Sequence, residues 1–308
     1  MTQVDNIIIG AGPAGCIAAV YMSRAGFSPL LFGGSSPGGQ LLYTHEIENF
    51  PGLDEAISGP ELMQKMHKQC KKFGTEILTE EITKVDLSKK PFKVTASNGE
   101  TYLTKSLIVA TGAKARWLEV EGEDKFRGQG VSTCATCDGF FYRDKQVCIV
   151  GGGDTAIGDA IFLTKFVNKV TVIHRRNALR AAQILAEKAQ KNPKIHFEWD
   201  SAVTKIIGDQ TLSAVEVKNL KTGETKQIPA SGVFVAIGHD PNTAIFDKQL
   251  KLDESGYVIV NNTHSSVEGV FVAGDVMDID YKQAVIACGR GCIAALETEK
   301  YLNTLCTD

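Results

Sequence analysis

Cys134-Ala135-Thr136-Cys137 is a C-x-x-C followed directly by an acid, Asp138. Two thiols at that spacing serve as a redox disulfide or as half of a zinc site, and a carboxyl group beside them is placed to hand a proton to a leaving thiolate. A zinc site needs a second pair of ligands. The nearest candidates, Cys288 and Cys292, stand four apart on a segment that reads as a helix, Gln283 to Tyr301. These two, with Cys16, Cys70 and Cys148, read as small buried apolar residues, and no metal ligand set is assigned. Eight cysteines in 308 residues, Cys306 being the last, do not make a secreted disulfide scaffold. In a reducing cytosol a close pair is catalytic or metal-binding.

Glycine supplies the second chemistry. Gly10-Ala11-Gly12-Pro13-Ala14-Gly15 is G-x-G-x-x-G, and Gly151-Gly152-Gly153-Asp154-Thr155-Ala156 is a G-x-G-x-x-A variant. Such turns let backbone approach a pyrophosphate at a helix N-terminus, where unpaired N–H groups and the helix dipole favour an anion. About 20 residues past the first turn an acid is expected for a ribose hydroxyl, but the chain reads Phe32-Gly33-Gly34-Ser35-Ser36. That contact is missing or supplied elsewhere. Past the second turn stand His174-Arg175-Arg176 and, one turn on, Arg180. Clustered guanidinium groups there suit the 2′-phosphate of NADPH.

The elements needed to hold these turns are legible on both sides of them. Asn6 to Ile9 is a short buried-type strand, Ile17 to Arg24 has helical spacing, and Pro29 to Phe32 is a second strand. The unit recurs as the strand Gln146 to Val150, a helix running to Phe166, and the strand Lys169 to Ile173. Each copy is followed about 90 to 100 residues on by an apolar strand closing on glycine, Leu107 to Gly112 and Val233 to Gly238. The expected fold class is therefore α/β with two Rossmann-like dinucleotide-binding domains. The length of 308 residues agrees, at roughly 150 residues per domain.

Lys plus Arg number 33 against 36 Asp plus Glu, a net charge of −3, which supplies no single-sign field for nucleic acid or an anionic membrane. With 43% hydrophobic and 22% charged residues the composition is that of a globular protein. No apolar run approaches the ~20 residues of a membrane helix, and Met1 to Asp5 lacks signal-peptide character. The expected compartment is the cytoplasm. Cys137 lies only 14 residues before Gly151. A reducible disulfide beside a nicotinamide domain, in a chain with another dinucleotide site, implies a flavin, since hydride must be converted to dithiol chemistry. The first site is then expected to hold FAD.

Taken together, Gly10 to Gly15, Gly38-Gly39-Gln40-Leu41, Glu48-Asn49-Phe50-Pro51-Gly52, Cys134 to Gly139, His174-Arg175-Arg176, Gly274-Asp275-Val276 and Gln283-Ala284-Val285 resemble the low-molecular-weight thioredoxin reductases over essentially the whole chain. The resemblance implies a two-dinucleotide flavoprotein homodimer passing electrons from NADPH to FAD, to a Cys134/Cys137 disulfide, and on to thioredoxin. It implies a discontinuous FAD domain, residues 1–113 and 242–308, with an NADPH domain, residues 114–241, inserted. The family's FAD contacts fall on the first glycine turn, Gln40, Leu41, Asn49, Thr111, Gly112, Gly274, Asp275, Lys282, Gln283 and Ala284. NADPH falls on Gly151, Gly153, Asp154, Thr155 and Ala156, with His174, Arg175, Arg176 and Arg180 at the 2′-phosphate. Cys137 resembles the flavin-side thiol, Cys134 the one that attacks thioredoxin, Asp138 the proton donor, and Phe140 and Phe141 the docking aromatics. The same likeness implies rotation of the inserted domain between half-reactions. Gly158-Asp159 replaces the family's usual pair of glutamates, Lys282 a usual arginine, and Gln129 a usual basic residue. The alternatives are a dithiol oxidase of the same fold and a non-enzymatic redox sensor, beside the flavoprotein subunit of an alkyl hydroperoxide reductase, which would need a further N-terminal redox domain. His174-Arg175-Arg176 argues against the first, and turnover of NADPH with a disulfide dye separates the second.

Overall fold

The computed structural model describes residues 2–305, so Cys306 lies outside the described residues. The chain divides into two compact units, one made of residues 1–114 with 240–308 and the other of residues 115–239.

The first unit is organised on a parallel sheet in the order Glu76–Leu78, Leu30–Phe32, Thr2–Ile9, Thr101–Val109. Thr101–Val109 is long enough to serve two neighbours. Its first residues pair antiparallel with Phe92–Ala96, and Leu107 to Val109 pair parallel with Val270–Val272. Ile7, Ile8, Leu107 and Ile108 are fully buried, as expected of parallel strands covered on both faces. The helices Pro13–Arg24, Gly59–Lys72 and Ala284–Leu305 cover one face, where Ala18, Ala19, Ala294 and Ala295 let their backbones come close.

In the second unit five parallel strands run in the order Ile195–Glu198, Lys169–Ile173, Gln146–Val150, Gly232–Val235, Val131–Ser132. The helix Asp154–Leu163 lies on this sheet through Ala156, Ile157, Ala160 and Leu163, all fully buried. An antiparallel sheet, Ser201–Gly208, Leu212–Asn219 and Thr225–Pro229, adds Val203, Val215 and Val217 to the opposite side of the core. The chain crosses between units along Ala113–Ala115 and His239–Pro241, which pair as a two-stranded ribbon.

Candidate active site

Gly12 is the N-cap of the helix Pro13–Arg24 and offers no side-chain cap, while Pro13 brings a fixed φ and no N–H of its own. The remaining N–H groups of the first turn are left for a ligand. Gly10 (φ 112°) is obligatory, since a Cβ there would stand 2.1 Å from the Ala110 carbonyl oxygen. Gly15 is as tightly held, its Cβ falling 1.8 Å from the Gly10 oxygen. This turn opens into a cleft of about 840 Å³ lying wholly within the first unit. Of the residues expected at FAD, Gly10, Gly12, Pro13, Ala14, Gln40, Leu41, Thr111, Gly112, Gly274, Asp275, Lys282, Gln283 and Ala284 line it. Gly15 packs behind the turn, and Asn49 is exposed and not among the lining residues.

Two cleft features escape a reading of the sequence. Beyond Phe32 the acidic side chains come from another strand's end, because Glu80 and Glu81 line the cleft and Ser35 Oγ donates to Glu81 Oε1 at 3.3 Å. The only local signal is the acid pair just after Leu78, whose carbonyl accepts the Gly33 N–H at 2.8 Å. Asn242 is the second. Thr111 Oγ1 donates to the Asn242 carbonyl and Asn242 Nδ2 to the Thr111 carbonyl, both at 2.8 Å, a reciprocal tie between segments 131 residues apart. Burial pushes Asp275 up to about 6, with Asp278 reinforcing and Lys282 opposing the shift. Lys282 (φ 46°) donates its ammonium to the Ile279 carbonyl and lies over the Tyr257 ring. Its backbone N–H donates to Asp278 Oδ2 at 3.2 Å.

The second turn is built alike and used differently. Gly153 caps the helix Asp154–Leu163, again without a side-chain cap, and a Cβ on Gly151 would meet the Ala236 oxygen at 2.4 Å. Arg175, Arg176 and Arg180 are exposed and make no ion pair among the described residues. His174, expected with them at a phosphate, is instead 4% exposed. Burial, and then the neighbouring guanidinium charges, hold its imidazole below the usual range. Of the two positions where glutamates were expected, Gly158 has open space where a Cβ would lie, and burial pushes Asp159 up to about 6. The uncapped helix N-terminus beside unpaired guanidiniums fits a phosphorylated dinucleotide, as the cleft with its crowded glycines fits FAD.

Cys134 and Cys137 are joined as a disulfide, the redox alternative of the two that the spacing allowed. Cys134 caps the four-residue helix Ala135–Asp138, and its sulfur accepts the Cys137 N–H at 3.2 Å. Ser132, at the end of the strand Val131–Ser132 and not foreseen from the sequence, accepts the Cys134 N–H at 3.0 Å. Burial raises Asp138, against a hydrogen bond from Ser132 that lowers it. A raised carboxyl holds its proton nearer neutrality, which suits a donor. Phe140 is half exposed, edge-on to Phe141 and Phe166 and beneath the Arg143 guanidinium. Gln129 lies in the turn before Val131, its N–H donating to the Phe126 carbonyl at 2.9 Å.

No helix among the described residues is long and apolar enough to cross a membrane. Residues 4–291 match the family model described as pyridine nucleotide-disulphide oxidoreductase. A thioredoxin reductase of Rickettsia conorii is 49% identical over 302 residues, spanning 96% of this chain and 97% of that one. The structure of a thioredoxin reductase from Giardia duodenalis matches at a TM-score of 0.95 and 40% identity, covering 98% of this chain and all of the other. That of Lactococcus lactis thioredoxin reductase, described as an FR conformation, is 39% identical over 98% of this chain and 99% of its own, yet reaches only 0.66. With both halves of the chain, the two glycine turns and the C-x-x-C disulfide inside these matches, the chain belongs to the thioredoxin reductases of the pyridine nucleotide-disulphide oxidoreductase family.

Proposed function

We propose that the cleft of the first unit holds FAD, that the second glycine turn receives NADPH, and that Cys134 and Cys137 carry the electrons onward to thioredoxin. One observation carries the reading: the unit with the arginine-flanked turn also contains the disulfide, while the many-segment cleft around the first turn belongs to the other unit. When bound, the two cofactors supply hydride transfer and its conversion to two-electron disulfide chemistry.

The chain's own residues do the rest. N–H groups at the N-terminus of Pro13–Arg24 take the flavin nucleotide's pyrophosphate, Glu80 or Glu81 its ribose hydroxyls, and Gln40, Thr111, Asp275, Gln283 and Ala284 its remaining polar groups. The backbone of the turn at Gly151, Gly153, Thr155 and Ala156 seats the nicotinamide nucleotide, with Arg175, Arg176 and Arg180 on the 2′-phosphate. Two electrons and two protons convert the Cys134–Cys137 disulfide to a dithiol. Asp138 gives up its proton to one sulfur as the S–S bond breaks. The Cys134 thiol, returning its proton to Asp138, attacks a sulfur of the thioredoxin disulfide as a thiolate, and the expelled sulfur takes that proton to leave as a thiol. Cys137 attacks Cys134 Sγ in the mixed disulfide, releasing reduced thioredoxin and restoring the starting bond. Phe140, exposed beside this pair, and Phe141 give the protein partner an aromatic contact.

A disulfide tucked against the flavin would be shielded from thioredoxin, and a nicotinamide there would occupy its space. The unit spanning 115–239 therefore turns between two positions about its two crossings, which need only a few residues to absorb the change. Relatives of nearly equal identity that superpose at 0.95 and at 0.66 support more than one arrangement in the family. The working enzyme is a cytoplasmic homodimer. The deciding experiment is the visible spectrum of purified protein before and after anaerobic addition of NADPH. A flavin spectrum that bleaches is expected; a colourless protein, or release of FMN on denaturation, overturns the reading.

A further inference from the structure

The loop that carries the three arginines is fastened from below. Arg180 and Ala181 donate their backbone N–H groups to the Gly152 carbonyl at 2.7 and 3.2 Å. Ala182 donates its own to Asp154 Oδ1 at 2.7 Å, so the first residue of the helix Asp154–Leu163 fixes the entry to the next helix, Gln183–Gln190. His174 fastens the middle. Its Nε2 lies 3.1 Å from the Ala178 carbonyl oxygen, which makes Nε2 the donor, and its ring lies so close over Gly152 that a Cβ there would stand 2.3 Å from the imidazole. The His174 backbone is tied on both sides, donating to the Glu198 carbonyl and accepting from the Ser201 N–H. The Arg176 carbonyl accepts a further N–H, from Asp200 at 3.3 Å, while the arginine side chains take no ion pair among the described residues.

Exposed guanidinium groups on a loose loop gain little from an anion, because ordering the loop costs most of what the contact returns. Fastened in advance, the same groups meet a phosphate with that cost already met. We propose that Asp154 and His174 are positioning residues for cofactor choice: they pin residues 175–182 over the second glycine turn, through the Ala182 amide and the Ala178 carbonyl, without touching the 2′-phosphate themselves. The inference rests on the NADPH reading given above. It also gives Asp154 a reason to be an acid beside a phosphate site, where a free carboxylate would repel the ligand: here its oxygen is needed as an acceptor.

The test uses the flavin-loaded protein and equilibrium binding of two fragments, adenosine 2′,5′-bisphosphate and adenosine 5′-monophosphate, which differ only in the 2′-phosphate. Asp154→Ala is expected to weaken the bisphosphate about tenfold, the scale of one charge-assisted hydrogen bond, and to leave the monophosphate within about twofold. Asp154→Asn keeps the acceptor oxygen and sheds the charge, so it should retain the bisphosphate within about threefold of the parent protein. His174→Phe keeps the ring over Gly152 but loses the donor, and should fall between. Parental affinities in Asp154→Ala, equal losses for both fragments, or an Asn variant as weak as the Ala one would each overturn the positioning role. A parent protein that does not distinguish the fragments, or an Arg175→Ala/Arg176→Ala variant that still does, would overturn the NADPH reading itself.

Discussion

The two glycine turns start from the same strand, turn and helix, and they end as opposite kinds of site. The first sits in a cleft assembled from segments far apart in sequence, among them residues 10–14, 33–43, 80–82, 110–114, 241–245 and 274–287. The second lies beside an exposed loop with three guanidinium groups. Contributions from many segments enclose a ligand and make it part of the core, whereas a charged, open surface takes up a soluble one and lets it go. On the proposed assignment, retention and exchange within one fold are set by what is added around the turn.

The sharpest way to break this contrast is to cut the route between the halves. Cys134→Ser or Cys137→Ser should abolish thioredoxin reduction while NADPH still bleaches the flavin in a stopped-flow trace. Turnover surviving in both variants would remove the disulfide from the route. Next in size is Gly15→Ala in the retained site, where the added carbon would sit 1.8 Å from a backbone oxygen. Displacing the turn should cost about 3 kcal/mol or more and the protein should purify without flavin, measured as the ratio of visible to ultraviolet absorbance.

The exchange site should answer to charge. Arg175→Ala with Arg176→Ala is expected to lower the NADPH to NADH ratio of kcat/KM by on the order of a hundredfold, each charged hydrogen bond contributing about 1.5 to 3 kcal/mol before solvent screening. An unchanged ratio would place the 2′-phosphate elsewhere. Each half also carries one carboxyl pushed up to about 6 by burial, Asp275 in the cleft and Asp159 on the helix Asp154–Leu163. Such a group favours the folded state below its unfolded value of 3.8 and loses that contribution as the pH rises through about 6. Asp159→Asn removes the charge whose burial is unfavourable at neutral pH. Its melting temperature should exceed the parent's by about 2 to 4 °C near pH 7.5, a gain that disappears by about pH 4. A gain that persists in acid would assign it to packing.

The strands Gln146–Val150 and Lys169–Ile173 could be read to the residue because apolar runs bounded by glycine and charge leave few choices. The helix after the first turn began four residues earlier than its apolar spacing indicated, since proline at its first position already has helical φ. Harder to see were contacts that cross the sheet. Nothing near Phe32 announces Glu80 and Glu81, and Asn242 is paired to Thr111 across 131 residues. Likewise the resemblance set His174 with the arginines at the 2′-phosphate, while its burial over Gly152 depends on the loop folding back, which no local pattern encodes.

The smallest expected effect tests the contrast at a single atom. The third glycine of the first turn has as its counterpart Ala156, fully buried, whose Cβ occupies the space a side chain on Gly151 would claim at 2.7 Å. At Gly15 the corresponding space is filled by the Gly10 carbonyl, so the backbone there runs closer to its helix than the second turn does to its own. Ala156→Gly therefore removes one methyl group from a turn that was not built to be tighter. It should cost about 1 kcal/mol, the helix propensity difference between the two residues, and the added freedom should not close the turn. Urea melts should show that loss with KM for NADPH changed by less than about twofold, well under the tenfold that one lost charged contact would give. Should Ala156→Gly instead bind NADPH much more tightly, or acquire affinity for FAD, then the third position itself, and not the surrounding segments and charges, would be what separates the two sites.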